Sequence, residues 1–157
     1  MKVPPVSKVE AHLEHQAAYR FRVSFPSGAP ALTTDEGPPL GAAAGPDPAE
    51  LLAAAVGNCL ASSFLYCVRK AHIEPEGLAV EVAVTRERDP QGHVRIGRMR
   101  VRLEPSLSET DRARFRRCLE LFESFCIVTE SVRAGIPVDL DVEPVVAARQ
   151  QSPGAAA

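Results

Sequence analysis

Cysteine is the side chain here best able to do chemistry without a cofactor, and the chain has four, at positions 59, 67, 118 and 126. A thiolate attacks electrophilic oxygen and sulfur, and two thiols brought together can cycle between dithiol and disulfide. The spacings contain no Cys-x-x-Cys and no Cys-x-x-His, which argues against a structural zinc site. His12, His15, His72 and His93 are scattered over different stretches, so surface histidine is the default reading and a metal site is set aside. The opening MKVPPVSKVEAHLEH lacks the apolar run and small-residue cleavage site of a secretory leader. A reducing, cytoplasmic setting is therefore expected, in which unpaired thiols are either buried packing or chemistry.

The four separate on local pattern. Cys118 sits between Phe115 and Phe122 on a helical apolar face, and Cys67 is in line with Leu60 and Phe64, so both read as core thiols. Cys59 instead follows Gly57 and Asn58, poor helix formers that helix propensity alone would not place there. Cys126 opens a short helix, where free N–H groups and the helix dipole favour a thiolate. Cys59 and Cys67 lie about 12 Å apart on one helix at 1.5 Å per residue, beyond disulfide reach. Cys126 is the sequence-distant thiol that folding can bring to Cys59. Such a pair would be peroxide-reactive, one sulfur oxidised to a sulfenic acid and the other resolving it. Simple packing of all four thiols is the competing reading.

The elements that position these residues are legible. In DPAELLAAAVGNCLASSFLYCVRK, Asp47 can cap a helix, Pro48 suits its first position, and Glu50 falls where a capping-box acid reaches back. From Leu51 through Val68 that helix has no charged residue. A membrane span is set aside because Gly57, Asn58, Ser62 and Ser63 stand at its centre. The remaining reading is a strut buried in a core or a subunit interface, which implies an obligate dimer.

Upstream, alternation of Tyr19, Phe21, Val23 and Phe25 with polar residues predicts a strand hairpin over 8–25, followed by a Pro/Gly-rich loop with one short strand near 31–33. Downstream, LAVEVAVTRER and HVRIGRMRVRLEP are strands joined by DPQG, with a bulge expected at Gly97 and Arg98 where the apolar phase slips. A second helix follows, its rhythm breaking near Ser124 and Phe125. A short third helix then ends at Gly135, and IPVDLDVEP is predicted as a closing strand with Val138, Leu140 and Val142 inward. Tyr66 and Phe125 read as core.

The order is that of an α+β protein. Its 157 residues suit a single domain over 1–144 with a flexible tail over 145–157. A net charge of −2 gives no overall drive toward nucleic acid or an anionic membrane, and the arginine runs around 95–102 and 112–117 read as solvated faces.

Two of these stretches carry a family resemblance. GPDPAELLAAAVGNCLA is similar to the signature of the OsmC/Ohr family, in which a proline–glutamate helix start leads through small residues to a reactive cysteine. FCIVTESVRAGIPVDLDV resembles that family's second cysteine segment. The resemblance covers roughly residues 8–144 and implies an intertwined homodimer, its strands wrapped around central buried helices. It further implies a thiol peroxidase for organic hydroperoxides, with Cys59 peroxidatic, Cys126 resolving, an external dithiol as reductant, and no metal or bound organic cofactor.

This chain departs from the pattern at three places. The glutamate that directly follows the family's proline is replaced by Ala49 and reappears at Glu50, where capping and catalysis are both open. No Gly-Gly-Arg turn supplies the catalytic arginine, which leaves Arg20 and Arg22 of the first hairpin as candidates beside their reading as a solvated strand face. Ile127 stands where a proline usually follows the second cysteine. The alternative function is a non-catalytic dimer of the same fold that binds a small hydrophobic ligand or senses redox state.

Overall fold

The computed structural model describes residues 6–143 apart from 110, 112–114, 116, 117 and 120; the expected tail over 145–157 lies outside the described residues. β1 (His12–Ala17) and β2 (Arg20–Ser24) form the expected hairpin, and β3 (Leu32–Thr34) pairs with β2 to complete a three-stranded antiparallel sheet. The alternation in β2 holds, with Val23 buried and Arg22 and Ser24 facing solvent.

The loop after β3 is organised by one buried carboxylate. Asp35 is only 3% exposed and its Oδ2 accepts hydrogen bonds from the N–H groups of Ala42 and Ala44, both at 3.1 Å, and from Arg20 Nη2 at 3.2 Å. The Ala44 donor, supported by Ala42 and Arg20, outweighs burial and holds this carboxyl below its ordinary 3.8. Because the folded value is depressed, the associated stability is present above pH 3.8 and is lost as pH falls through the lower folded value. Asp35→Asn is expected to be less stable than the parent at neutral pH, and to lose less of its thermal midpoint below pH 3.8. Parallel midpoint-versus-pH curves for the two proteins would remove Asp35 from this account.

α1 (Pro48–Lys70) starts as the sequence dictates. Asp47 Oδ1 accepts from the Glu50 N–H at 2.8 Å, and Glu50 Oε2 accepts from the Asp47 N–H at 2.8 Å, a complete capping box. Arg86 also pairs with the Asp47 carboxylate, which ties the helix start to the following strand. One stripe at four-residue spacing, Val56, Leu60, Phe64 and Val68, is buried. Gly57 lies where α1 passes closest to that strand, and a Cβ there would stand 2.7 Å from Val82 Cγ2. The close approach therefore explains a glycine in mid-helix.

Within one chain the helix is fully buried only along this stripe and at Gly57, with Leu52, Cys59, Leu65 and Cys67 partly covered beside it. Ala54, Ala55, Asn58, Ser62 and Tyr66 are exposed, so the expectation of burial on every side is not met without a partner. Tyr66 and Phe125, expected in the core, are both more than half exposed. Apolar periodicity identifies faces, and these two point away from the elements that this chain supplies.

β4 (Gly77–Arg88) and β5 (Val94–Ser106) form a long antiparallel hairpin around the Asp89–Gly92 turn. Val80 faces Leu103, Val82 faces Val101 and Val84 faces Met99, giving a half-buried apolar surface. Thr85 pairs with Arg98 but Arg86 with Ile96, so Gly97 is the extra residue of a bulge, as its phase slip predicts. The described positions between 109 and 121 are helical, a 3-10 turn (Phe122–Phe125) follows, and α2 (Ile127–Ala134) ends at Gly135, whose φ of 73° suits a residue without Cβ.

Among the described residues the closing strand does not form. Residues 135–143 carry no strand, and Val138, expected inward, is 88% exposed, with Leu140 and Val142 similar. Alternation divides a segment into faces, but a strand also needs an edge to pair with.

Candidate active site

α1 places Cys59 half-buried beside the core stripe, and the chain's return through the 3-10 turn brings Cys126 against it as the N-cap of α2. The two thiols lie close enough to perturb each other electrostatically, and Cys126 is fully buried at 0% exposure. Cys126 Sγ lies 3.0 Å from Thr129 Oγ1, and the Ser63 side chain also reaches it. The N–H groups of Val128 and Thr129, in the first turn of α2, act on the sulfurs electrostatically, although none makes a capping bond of ordinary geometry to Cys126. Arg133 bonds both Glu123, at 2.8 Å, and Glu130, at 2.7 Å, and so joins the two short helices that bracket Cys126.

This arrangement splits the two thiols. Burial pushes Cys59 up and the neighbouring Cys126 adds to it, more than the α2 N–H groups offset. Burial also acts upward on Cys126, but contact with Cys59, the Thr129 hydroxyl and N–H, and Ser63 outweighs it, so Cys126 falls below its ordinary 9.0. In the reduced pair the proton therefore favours Cys59 and the negative charge favours Cys126. Cys59 is the sulfur that solvent can reach.

The other candidate residues are placed elsewhere in the chain. Glu50 completes the capping box at the far end of α1, about 13 Å along the helix from Cys59 at 1.5 Å per residue. Arg20 bonds Asp35 and anchors the loop. Arg22 lies exposed on β2, opposite Thr33.

An apolar groove of about 520 Å³ lies near the thiols, its lining including Leu60, next to Cys59 in sequence, and Thr129, the partner of Cys126. Leu52 and Val56 form one wall and Met99, Val101 and Leu103 the other, with Arg98 at the bulge; neither cysteine lines it. Arg98 has no ion-pair partner among the described residues. Sequence reading missed Thr129, Ser63 and Arg98. The Cys-x-x-Thr spacing at a helix start signals the first, and the bulge expected at Gly97 signals the last, since bulges re-aim side chains.

The family model described as OsmC-like protein matches residues 41–141. The chain belongs to the OsmC family, and its α+β fold is that of the OsmC/Ohr proteins. No curated protein matches it in sequence. Solved structures with the same fold include an OsmC-like protein of unknown function from Vibrio cholerae, with a TM-score of 0.67 and 17% identity over 80% of this chain and 94% of that one. The organic hydroperoxide resistance protein OsmC of Legionella pneumophila gives 0.62 and 16%, over 83% and 92%. The organic hydroperoxide resistance protein OhrB of Bacillus subtilis gives 0.58 and 18%, over 83% and 94%.

Proposed function

We propose that this protein is a cysteine-based peroxidase that reduces organic hydroperoxides through Cys59 and Cys126. The observation that carries the reading is the contact between a half-buried thiol and a fully buried partner whose environment favours the thiolate. Cys126 first accepts the proton of Cys59 across that contact. The Cys59 thiolate then attacks the distal peroxide oxygen, the O–O bond breaks, and the alkoxide leaves as the alcohol with the proton held by Cys126. Cys126, again a thiolate, attacks the Cys59 sulfenic acid and expels hydroxide, closing the disulfide. An external dithiol restores both thiols by exchange.

The nearby groove offers apolar walls for the organic part of the peroxide and a cation, Arg98, that has no ion-pair partner among the described residues. Of the two hairpin arginines, Arg20 is committed to Asp35, and Arg22 is the one free to serve a site on a second copy. Glu50 acts here as a cap.

The working form in this reading is a homodimer in the cytoplasm. The uncharged outer side of α1 and the exposed alternation of Val138, Leu140 and Val142 are the surfaces a second copy would cover. Val138→Asp combined with Leu140→Asp is expected to shift the protein toward monomer in sedimentation analysis. A double variant that sediments as the parent does would place the interface elsewhere.

The deciding experiment is stopped-flow consumption of cumene hydroperoxide and a fatty-acid hydroperoxide by fully reduced protein, with free thiols counted afterwards. Rapid consumption with loss of two thiols per chain is expected. Consumption no faster than that by free cysteine would exclude the peroxidase and leave the groove as a binding site for a small hydrophobic ligand.

A further inference from the structure

α1 and the segment 118–126 pass each other in opposite directions, and their cysteines meet in order. Cys59 contacts Cys126; Phe64 packs edge-on against Phe122 with ring centroids 5.8 Å apart; Cys67 contacts Cys118. Cys67 Sγ points at the Cys118 carbonyl oxygen at 3.9 Å. The spacing is eight residues on both segments, so a second pair of free thiols repeats the first two helical turns further along.

We propose that Cys67 and Cys118 form a second redox-active dithiol, which a low-molecular-weight disulfide oxidises to an intrachain disulfide between α1 and the 109–121 segment. The pair is built asymmetrically. Cys67 is half-buried and reachable, whereas Cys118 is buried, and that burial, with the Cys67 contact, pushes its thiol up to about 11.

Cys67 therefore reacts first. Its thiolate attacks one sulfur of the disulfide RSSR, forming a Cys67–SR mixed disulfide and expelling RS⁻, which takes up a proton. The Cys118 thiol gives its proton to solvent as it attacks the Cys67 sulfur, and the second RS⁻ leaves and is protonated. Two protein thiols and RSSR thus become one protein disulfide and two RSH. The two thiol pairs lie about 12 Å apart along α1, from a 1.5 Å rise per residue, too far for direct exchange. The second pair therefore works independently of any peroxidase activity at the first. Once closed, it pins the far end of the segment that presents Phe122 and Cys126.

The test uses the full-length Cys59→Ser/Cys126→Ser variant exposed to oxidised glutathione and examined by intact mass under denaturing, thiol-blocked conditions. The expected result is loss of two hydrogen atoms and of both titratable thiols, with Cys118→Ser in that background leaving Cys67 as a glutathione adduct. A stable adduct on Cys67 with Cys118 still free, or two unreacted thiols, would overturn the proposal and make the pair core packing. Wild-type protein provides a second measurement that does not depend on the variant folding. With no charged residue from Leu51 to Val68, trypsin leaves Cys59 and Cys67 on one peptide, so chymotryptic peptides are mapped instead. A linked Cys67–Cys118 peptide is expected, and its absence after oxidation counts against the pair.

Discussion

Cys59→Ser is expected to reduce hydroperoxide consumption by roughly 10³-fold or more, because the hydroxyl that replaces the thiol is almost entirely protonated and a far weaker nucleophile. Cys126→Ser has a different signature. It removes both the group that takes the Cys59 proton and the group that attacks the sulfenic acid. The first oxidation should slow, and oxidised Cys59 should persist as a sulfenic acid that a dimedone-type probe captures and mass analysis locates. Thr129 and Ser63, which reach Cys126, remain in that variant, so the fold around α2 is kept. Equal residual rates in the two variants, or a probe adduct found on Cys126 in Cys59→Ser, would reverse the roles given to the sulfurs. The exposure difference argues for the roles as stated, since peroxide can reach Cys59 but not the fully buried Cys126.

Phe64→Ala is expected to be the most damaging single change to stability, costing about 3–5 kcal/mol. Phe64 is 1% exposed and its ring is held edge-on between Phe115 and Phe122, at 5.6 and 5.8 Å between centroids. Truncation leaves a cavity where the 109–121 segment, the 3-10 turn and α1 converge, and the rigid helix on one side limits collapse. Urea unfolding of reduced protein would show the loss as a lower midpoint with little change in slope. Phe64→Leu should recover much of it, since most of the volume is refilled. A loss below about 1 kcal/mol for the alanine variant, ordinary for a tolerant surface site, would mean that Phe64 is not the packing centre of this core.

What was legible in the sequence were features set by a few adjacent residues. Asp47, Pro48 and Glu50 specify the α1 start through bonds within one turn, and the structure forms them. The apolar phase slip around Gly97 locates the bulge because a pleated strand has a strict two-residue period. The alternation in β2 and the break near Ser124 were equally local.

Features that depend on distant partners were not legible. A helix apolar on all sides carries little phase: Leu60 and Phe64 read as core in line with Cys67, but nothing in Leu51–Val68 puts Val56 and Val68 on the stripe that packs. Val138, Leu140 and Val142 alternate correctly, yet no strand among the described residues pairs with them. At the candidate site, Cys59 and Cys126 stood out by their neighbours in sequence. Thr129 and Ser63 did not, because their significance arises only when α2 docks on α1. Cys67 and Cys118 looked like ordinary packing one at a time, and their contact becomes visible only across the fold.

The matched spacing of the thiols on α1 and on the returning segment makes chain length there less negotiable than side-chain identity. Inserting a single residue between Cys59 and Cys67 would turn Cys67 by about 100° and lift it by about 1.5 Å relative to Cys59. It would also rotate Val68 out of the core stripe. Substitutions at the exposed positions of this stretch can be absorbed, but an insertion or deletion separates one thiol contact from the other. Related chains that keep all four cysteines are therefore expected to vary at the exposed positions of this helix and to place their length changes in the loops.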